Sequence, residues 1–365
     1  MTTRNVSQSA LFNPSLLLAF GRIRKCRGLF AALVITVTAL VGASAHGQQY
    51  QVLHTFLLPP GYPYAALIQG SDGNFYGTTQ YGGATNGGTV FRMDSAGTVT
   101  TLHFFVGSDG RNPQAGLIQG ADGNFYGTTS YGGATDSGTV FKMDSAGTVT
   151  TLHSFVDSDG ANPFAGLIQG TDGDFYGTTY YGGIAHQGTV FKIDSSGAIT
   201  TLHFFTGSDG ANPVAGLIEG RDGNFYGTTL LGGPTPLGGE VAAGAIFKMD
   251  SAGTVTTLHF FVGSDGANPY AALIQGSDGN FYGTTFQGGA GNGTVFKMDS
   301  AGTVTTLHFF AGQPLDGANP YAGVIQGSDG SFYGTASYGG ATNNGVVFKM
   351  DSAGTATTLH SFAVS

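Results

Sequence analysis

Three recurring sets of side chains carry the groups that could do chemistry. Histidine returns in a Leu-His-x-Phe setting at His54, His103, His153, His203, His259, His308 and His360. An imidazole titrates near neutrality and can act as a base, a proton shuttle or a metal ligand. Aspartate returns before Gly, with Asn-Pro close behind, at Asp109, Asp159, Asp209, Asp265 and Asp316. A ring of carboxylates could hold Ca²⁺, which takes six to eight oxygens at about 2.3–2.6 Å. The third set is Gln69, Gln119, Gln169, Glu219, Gln275 and Gln326.

None of these sets composes a catalytic centre in the sequence. The histidines fall on what reads as the outermost strand of each repeat, far from one another, and are expected to be structural imidazoles at a sheet edge. One carboxylate per repeat is too dispersed for one ion, and Asp-Gly with Asn-Pro is ordinary turn chemistry. Only Asp157-Ser158-Asp159-Gly160 brings two acids together, without the later Glu of an EF-hand loop. Calcium near Asp157 and Asp159 is therefore a minor reading, and no other cofactor is expected. Glu219 has no second acid or histidine with a reason to face it, so a general acid/base pair is not expected. It is expected to accept hydrogen bonds from neighbouring amides.

Aromatic residues form a fourth set. The residue after the recurring proline is Tyr64, Gln114, Phe164, Val214, Tyr270 and Tyr321, and a second position further on offers Tyr81, Tyr131, Tyr180, Tyr181, Phe286 and Tyr338. Rings around a concave mouth suit the apolar faces of sugars or aromatic side chains, with Tyr hydroxyls setting orientation. The candidate ligand-binding residues are Tyr64, Tyr81, Tyr131, Phe164, Tyr181, Tyr270, Phe286, Tyr321 and Tyr338. The competing reading is that these rings wedge neighbouring sheets together, since half-buried Tyr is common in such packing.

The elements that must position these residues follow from a repeat. The stretch AGLIQGADGNFYGTTSYGGATDSGTVFKMDSAGTVTTLHSF, Ala115 to Phe155, returns with small edits from Ala65 to Phe362. In that copy four short runs rich in Val, Ile, Phe, Tyr and Thr, at Ala115–Gly120, Asn124–Thr129, Gly138–Asp144 and Thr148–Phe155, read as strands a, b, c and d. Asp122-Gly123 and Asp144-Ser145-Ala146-Gly147 are tight-turn sequences. Each copy is thus a four-stranded antiparallel meander, which cannot stand alone because its faces are apolar and its edges unpaired. Four strands at a period of roughly 40–50 residues are the mark of a propeller blade. The expected fold is all-β, a six-bladed β-propeller of four-stranded antiparallel blades.

Six copies of strand b, beginning at Phe75, Phe125, Phe175, Phe225, Phe281 and Phe332, fix the blade count. Strand d appears a seventh time, as Tyr50–Phe56 ahead of the first blade. The C-terminal copy, Ala356–Phe362, is expected to take the ladder position because a tight turn feeds it. Tyr50–Phe56 is then a spare strand outside it, or pairs with an edge of another molecule to give a weak dimer; otherwise the protein is a monomer. The 64 glycines of 365 residues sit at fixed offsets in this pattern, which assigns them to turns and close packing.

The first 45 residues differ from the rest. Arg22, Arg24, Lys25 and Arg27 precede the apolar run Gly28–Val41, and Ala43-Ser44-Ala45 supplies small residues for cleavage. Residues 1–45 read as a secretory signal peptide and residues 46–365 as the propeller. The one cysteine, Cys26, leaves with the signal, so no disulfide or cysteine metal site is expected. With it go five basic residues of 13 and none of the 22 acids, leaving eight against 22 and a net charge of −14. Nucleic acid and anionic membrane are poor partners for such a surface; the membrane is met only through the export signal.

On LIQGSDGNFYGTT followed by GTVFKMDSAGTVTTLHFF, six times over, the chain resembles the GloVer (Gloeo/Verruco) tandem-repeat proteins of bacteria. The resemblance covers Ala65–Phe362. It implies a secreted, extracellular or cell-surface protein and supplies no catalytic residues.

Within the repeat, a–b and c–d turns leave one end of a blade and barely vary, whereas b–c and d–a loops leave the other and hold nearly all the differences, including Pro234–Ala245. Variable loops on a constant scaffold are how loop-borne binding sites look. The favoured function is a non-catalytic binding scaffold whose variable rim takes an extracellular polymer, glycan or protein. The alternative is a propeller hydrolase, lyase or lactonase with a metal at the channel mouth. That reading needs one blade to add convergent acids or histidines, and the departures from the repeat add mainly Gly, Pro, Leu and Ala, with Glu240 and His186 the exceptions.

Overall fold

The computed structural model describes residues 61–233 and 243–363. Residues 1–45, read as a signal peptide and holding Cys26, the run Tyr50–Phe56 read as a spare strand and holding His54, Glu240 and most of the Pro234–Ala245 insertion lie outside the described residues. Six four-stranded antiparallel sheets follow one another along the chain, each in the order a-b-c-d, and together they form a six-bladed β-propeller. In blade two the strands are Ile118–Gln119, Phe125–Thr129, Thr139–Met143 and Val149–Ser154. Blade six closes with Ala356–Ser361 paired to Val346–Met350, so the C-terminal copy of strand d holds the ladder position.

Strand a is shorter than its sequence run: Ala115–Leu117 lies outside the ladder, and only Ile118 and Gln119 pair with strand b. Each d–a loop instead reaches under the end of strand b of its own blade, as in the bridges Arg111↔Tyr131 and Ala161↔Tyr181. In blade six this contact lengthens into a two-stranded ladder, Gly317–Ala318 with Tyr338–Gly339.

Turn chemistry fixes the constant end. Asp122 Oδ1 accepts the Asn124 amide at 3.1 Å, while its Oδ2 accepts the Tyr126 hydroxyl at 2.8 Å. A carboxylate in the turn thus satisfies the phenol of a ring that is otherwise fully buried. Between c and d, Asp144 Oδ1 accepts the amides of Ala146 and Thr148. The c–d ladder carries a bulge in every blade; in blade two the register slips between Val140 and Phe141, leaving Leu152 as the extra residue. Leu152 packs into the core shared with blade three.

Blades are joined through that core. Tyr126 of strand b stacks on Phe175 of the next blade with centroids 3.9 Å apart, and Phe155 meets Phe191 at 5.1 Å. Four equivalent Tyr–Phe pairs stand at 4.1 Å between the other successive blades. Each fully buried ring contributes about 1.5–3 kcal/mol. Between Tyr126 and Thr128 the strand must be Gly127, because a Cβ there would lie 2.7 Å from Phe141 and 2.8 Å from Leu117. Polar fittings run beside the rings. Thr128 Oγ1 donates to the Ala165 carbonyl at 2.9 Å, and Gln169 Oε1 accepts the Ala121 amide at 3.0 Å.

Candidate functional site: an aromatic mouth

The d–a loop carries the chain from the outer strand of one blade to the inner strand of the next, and an Asn in the left-handed region shapes it (Asn112, Asn162, Asn212, Asn268 and Asn319, φ 54–56°). Asn tolerates that region better than bulkier residues. Its side chain then clamps the preceding blade: Asn162 Nδ2 donates to the Ser130 carbonyl at 2.8 Å. The proline that follows is buried against a glycine of the preceding blade, as Pro163 is against Gly138, and the residue after it is more exposed.

Those residues bring rings from separate blades together. Tyr270 of blade five lies parallel to Tyr321 of blade six, with centroids 4.7 Å apart. Phe286, at the end of strand b in blade five, meets Tyr270 at 5.3 Å and Tyr321 at 5.9 Å. In blade three Phe164 meets Tyr180 edge-on at 5.2 Å. Burial pushes the Tyr180 hydroxyl above its ordinary pKa, and neighbouring Tyr181, Tyr270 and Tyr321 add to it. Tyr321 is raised by burial and then by Tyr270 and Tyr64. Blades three and five are not neighbours, so rings from both can share one field only near the axis. Tyr64, Phe164, Tyr180, Tyr270, Phe286 and Tyr321 therefore form one aromatic mouth, in which the raised Tyr180 and Tyr321 hydroxyls stay protonated donors at neutral pH.

The mouth is uneven. Blade two supplies Gln114 and Ser130 at the matching positions, and blade four supplies Val214 and Leu230. The Ser130 hydroxyl is the one buried side-chain polar atom without a hydrogen-bond partner among the described residues. Of the predicted residues, Tyr64, Phe164, Tyr270, Phe286 and Tyr321 come together. Tyr81, Tyr131, Tyr181 and Tyr338 stand one position further along the chain, and of these Tyr181 meets Tyr180 edge-on with centroids 4.5 Å apart. Tyr81 makes its ring contact with Tyr62 at 5.7 Å, and Tyr131 lies under the Arg111 guanidinium, itself held by Asp136. Tyr180, absent from the candidate set, joins the rings of Phe164 and Tyr181.

The histidines and aspartates answer each other away from the mouth. His103 meets Asp109 at 2.9 Å, His153 meets Asp159 at 3.0 Å, His203 meets Asp209 at 2.8 Å, His259 meets Asp265 at 2.8 Å and His308 meets Asp316 at 3.1 Å. The other oxygen of the carboxylate accepts a loop amide, as Asp209 does from Thr206 at 2.9 Å. Burial would raise the Asp209, Asp265 and Asp316 carboxyls, but these hydrogen bonds outweigh it and lower them. Each pair fastens strand d to the start of the d–a loop. Asp157 faces His186 at 3.0 Å, so both acids of the calcium reading are engaged by imidazoles. Among the described residues no group of three His, Cys, Asp or Glu is placed to hold a metal ion. Glu219 accepts the Thr171 amide at 3.0 Å and the Thr171 hydroxyl at 2.7 Å, in the role that Gln119, Gln169, Gln275 and Gln326 play in blades two, three, five and six.

Six tandem four-stranded sheets with one variable loop end define a β-propeller repeat protein. The chain belongs to the Gloeobacter/Verrucomicrobia repeat family, whose profile matches residues 39–239 and 233–365. No curated protein matches the sequence. Among solved structures, a candidate 6-phosphogluconolactonase of Bacteroides uniformis is similar in fold at 15% identity, with a TM-score of 0.55 over 82% of this chain and 84% of that one. One of Bacteroides fragilis aligns at 20% identity, with a TM-score of 0.53 over 81% and 82%. At these identities the likeness concerns the fold alone.

Proposed function

We propose that this protein is an exported, non-catalytic binding scaffold that holds an extracellular polymer, a glycan in the first place, at the aromatic mouth. The observation that carries the reading is the convergence of Tyr64, Phe164, Tyr180, Tyr270, Phe286 and Tyr321 from four blades on the channel axis. Stacked and edge-on rings offer flat apolar faces for the C–H faces of pyranose rings, and the Tyr hydroxyls donate to sugar oxygens. The side chains at the matching positions of blades two and four are an amide, a hydroxyl and two aliphatics, so the surface is neutral throughout. That suits an uncharged saccharide better than an acidic one, given the acidic balance of the chain. A glycan and peptide array probed with the purified exported protein tests the reading. Retention of neutral glycans supports it, and retention of peptides alone would replace the ligand class.

A further inference from the structure

Five seams between successive blades repeat one set of fittings, and the sixth position, between blade six and blade one, holds both halves of that set apart. Leu117, Leu167, Leu217 and Leu273 are 1–6% exposed, whereas Leu67 of blade one is 42% exposed. On the facing side, Phe105, Phe155, Phe205, Phe261 and Phe310 are 0–1% exposed, whereas Phe362 of blade six is 36% exposed and Ile325 66%. Thr78, Thr128, Thr178, Thr228 and Thr284 are buried and donate to an alanine carbonyl of the next blade, but Thr335 is exposed. Among the described residues Tyr333 has no Phe stacked on it as Tyr76, Tyr126, Tyr176, Tyr226 and Tyr282 do.

We propose that this seam is a gate: blade six closes on blade one of the same chain, and the ring opens and shuts there. Blade one presents what blade six needs at the repeat's own spacing. Phe75 is placed for the Tyr333 ring, the Ala65 carbonyl for the Thr335 hydroxyl, Gln69 for the Ser328 amide and Leu67 for the apolar face. A second copy could offer the same groups, but two faces on one chain meet at a far higher effective concentration. The seam is also built to release. At every other junction an Asn side chain clamps the preceding blade, and in blade one that position is Tyr62.

The gate opens onto the aromatic mouth, since Tyr64 and Tyr321 stand on its two sides. A closed ring can be threaded only by the end of a polymer, whereas a seam that opens admits an internal segment from the side. This last step rests on the binding reading above; the gate itself does not.

An engineered disulfide tests it. A Cβ built at Gly116 lies 3.8 Å from the Ala65 Cβ, one at Gly166 lies 3.7 Å from Ala115, and one at Gly323 lies 3.5 Å from Ala271. Those separations suit a disulfide. In a closed ring Ala66 and Ala322 take the same positions. With Cys26→Ser as background, Ala65→Cys/Gly116→Cys serves as the control across a seam already formed, and Ala66→Cys/Ala322→Cys reports the gate. Under mild oxidation both should cross-link within one chain, seen as a faster-migrating monomer on non-reducing gels. Cross-linking of the control alone, or Ala66–Ala322 links between chains, would overturn closure in cis. The locked ring should then bind a short oligosaccharide as the reduced protein does but lose most of its association rate with a long chain. Equal rates would overturn side entry and leave the gate standing.

Discussion

The ring of Tyr270 lies over that of Tyr321 with centroids 4.7 Å and planes 21° apart, although the two residues belong to different blades. Tyr321 is 56% exposed, so little of the pair's area serves the core. Tyr321→Ala should weaken glycan binding about tenfold, as expected for one aromatic contact worth about 1–1.5 kcal/mol. Its melting temperature should barely move. Calorimetric titration beside thermal unfolding checks this, and parallel loss of affinity and stability would assign the rings to blade packing.

Acid sensitivity follows from the a–b turns. Burial alone would raise the Asp222 carboxyl, but hydrogen bonds from Lys248, Asn224 and Tyr226 outweigh it and bring it down to about 2 from an ordinary 3.8. A carboxyl depressed in the folded state adds stability that is present above the unfolded value and lost as pH falls through the folded one. Asp72, Asp172 and Asp278 are lowered in the same way by their turns. Stability should therefore fall between about pH 4 and pH 2, and Asp222→Asn should flatten that slope. Urea midpoints at a series of pH values measure it; an unchanged slope would show that the turn carboxylates do not control acid unfolding.

Much of this architecture could be read from the sequence, because every a–b turn carries Asp-Gly, every c–d turn carries Asp-Ser-Ala-Gly or, in blade three, Asp-Ser-Ser-Gly, and each blade repeats its neighbour. The His103–Asp109 type of pair was less visible: histidine and aspartate were read on separate elements. Their constant offset of six residues in four blades was the available signal, since strand d ends just after the histidine and the loop turns back on it. The contacts of Tyr180 with both Phe164 and Tyr181 needed the course of the chain beyond strand b, which the sequence pattern does not give. The open seam was not legible at all. It depends on the angle between blades, which is set by packing across every interface, and Leu67 and Leu117 look alike in sequence.

Gly177 tests the packing of a blade interior. A Cβ there would lie 2.6 Å from the Phe191 ring and 2.9 Å from Leu167, both buried. Gly177→Ala should cost about 1–3 kcal/mol through overpacking, although strands usually gain from losing a glycine. Chemical denaturation gives the value; a stabilised variant would show that the ring shifts freely.

Chelation probes the loop of Asp157 and Asp159. With His186 and His153 already on these carboxylates, EDTA should leave the melting temperature within about a degree, because no metal-linked folding energy is then removed. A fall of many degrees, restored by Ca²⁺, would reinstate a calcium site there.

Tyr62 makes the last test. It occupies the left-handed region at φ 64°, where the other blades carry Asn at 54–56°. A bulky aromatic is unfavourable there, and Asn is enriched. In those blades the Asn side chain donates to the preceding blade, as Asn212 Nδ2 does to the Tyr180 carbonyl at 3.0 Å. The matching acceptor for blade one is the Ser337 carbonyl of blade six. Tyr62→Asn should therefore relieve the backbone and add the missing clamp, together about 1–2 kcal/mol. The converse change, Asn212→Tyr, should lose a comparable amount at a seam that is already closed. Thermal unfolding of both separates the two contributions: if Tyr62→Asn stabilises equally in the presence and absence of Ser337→Pro, whose ring would disturb the blade-six acceptor, the gain is backbone relief alone and no clamp has formed.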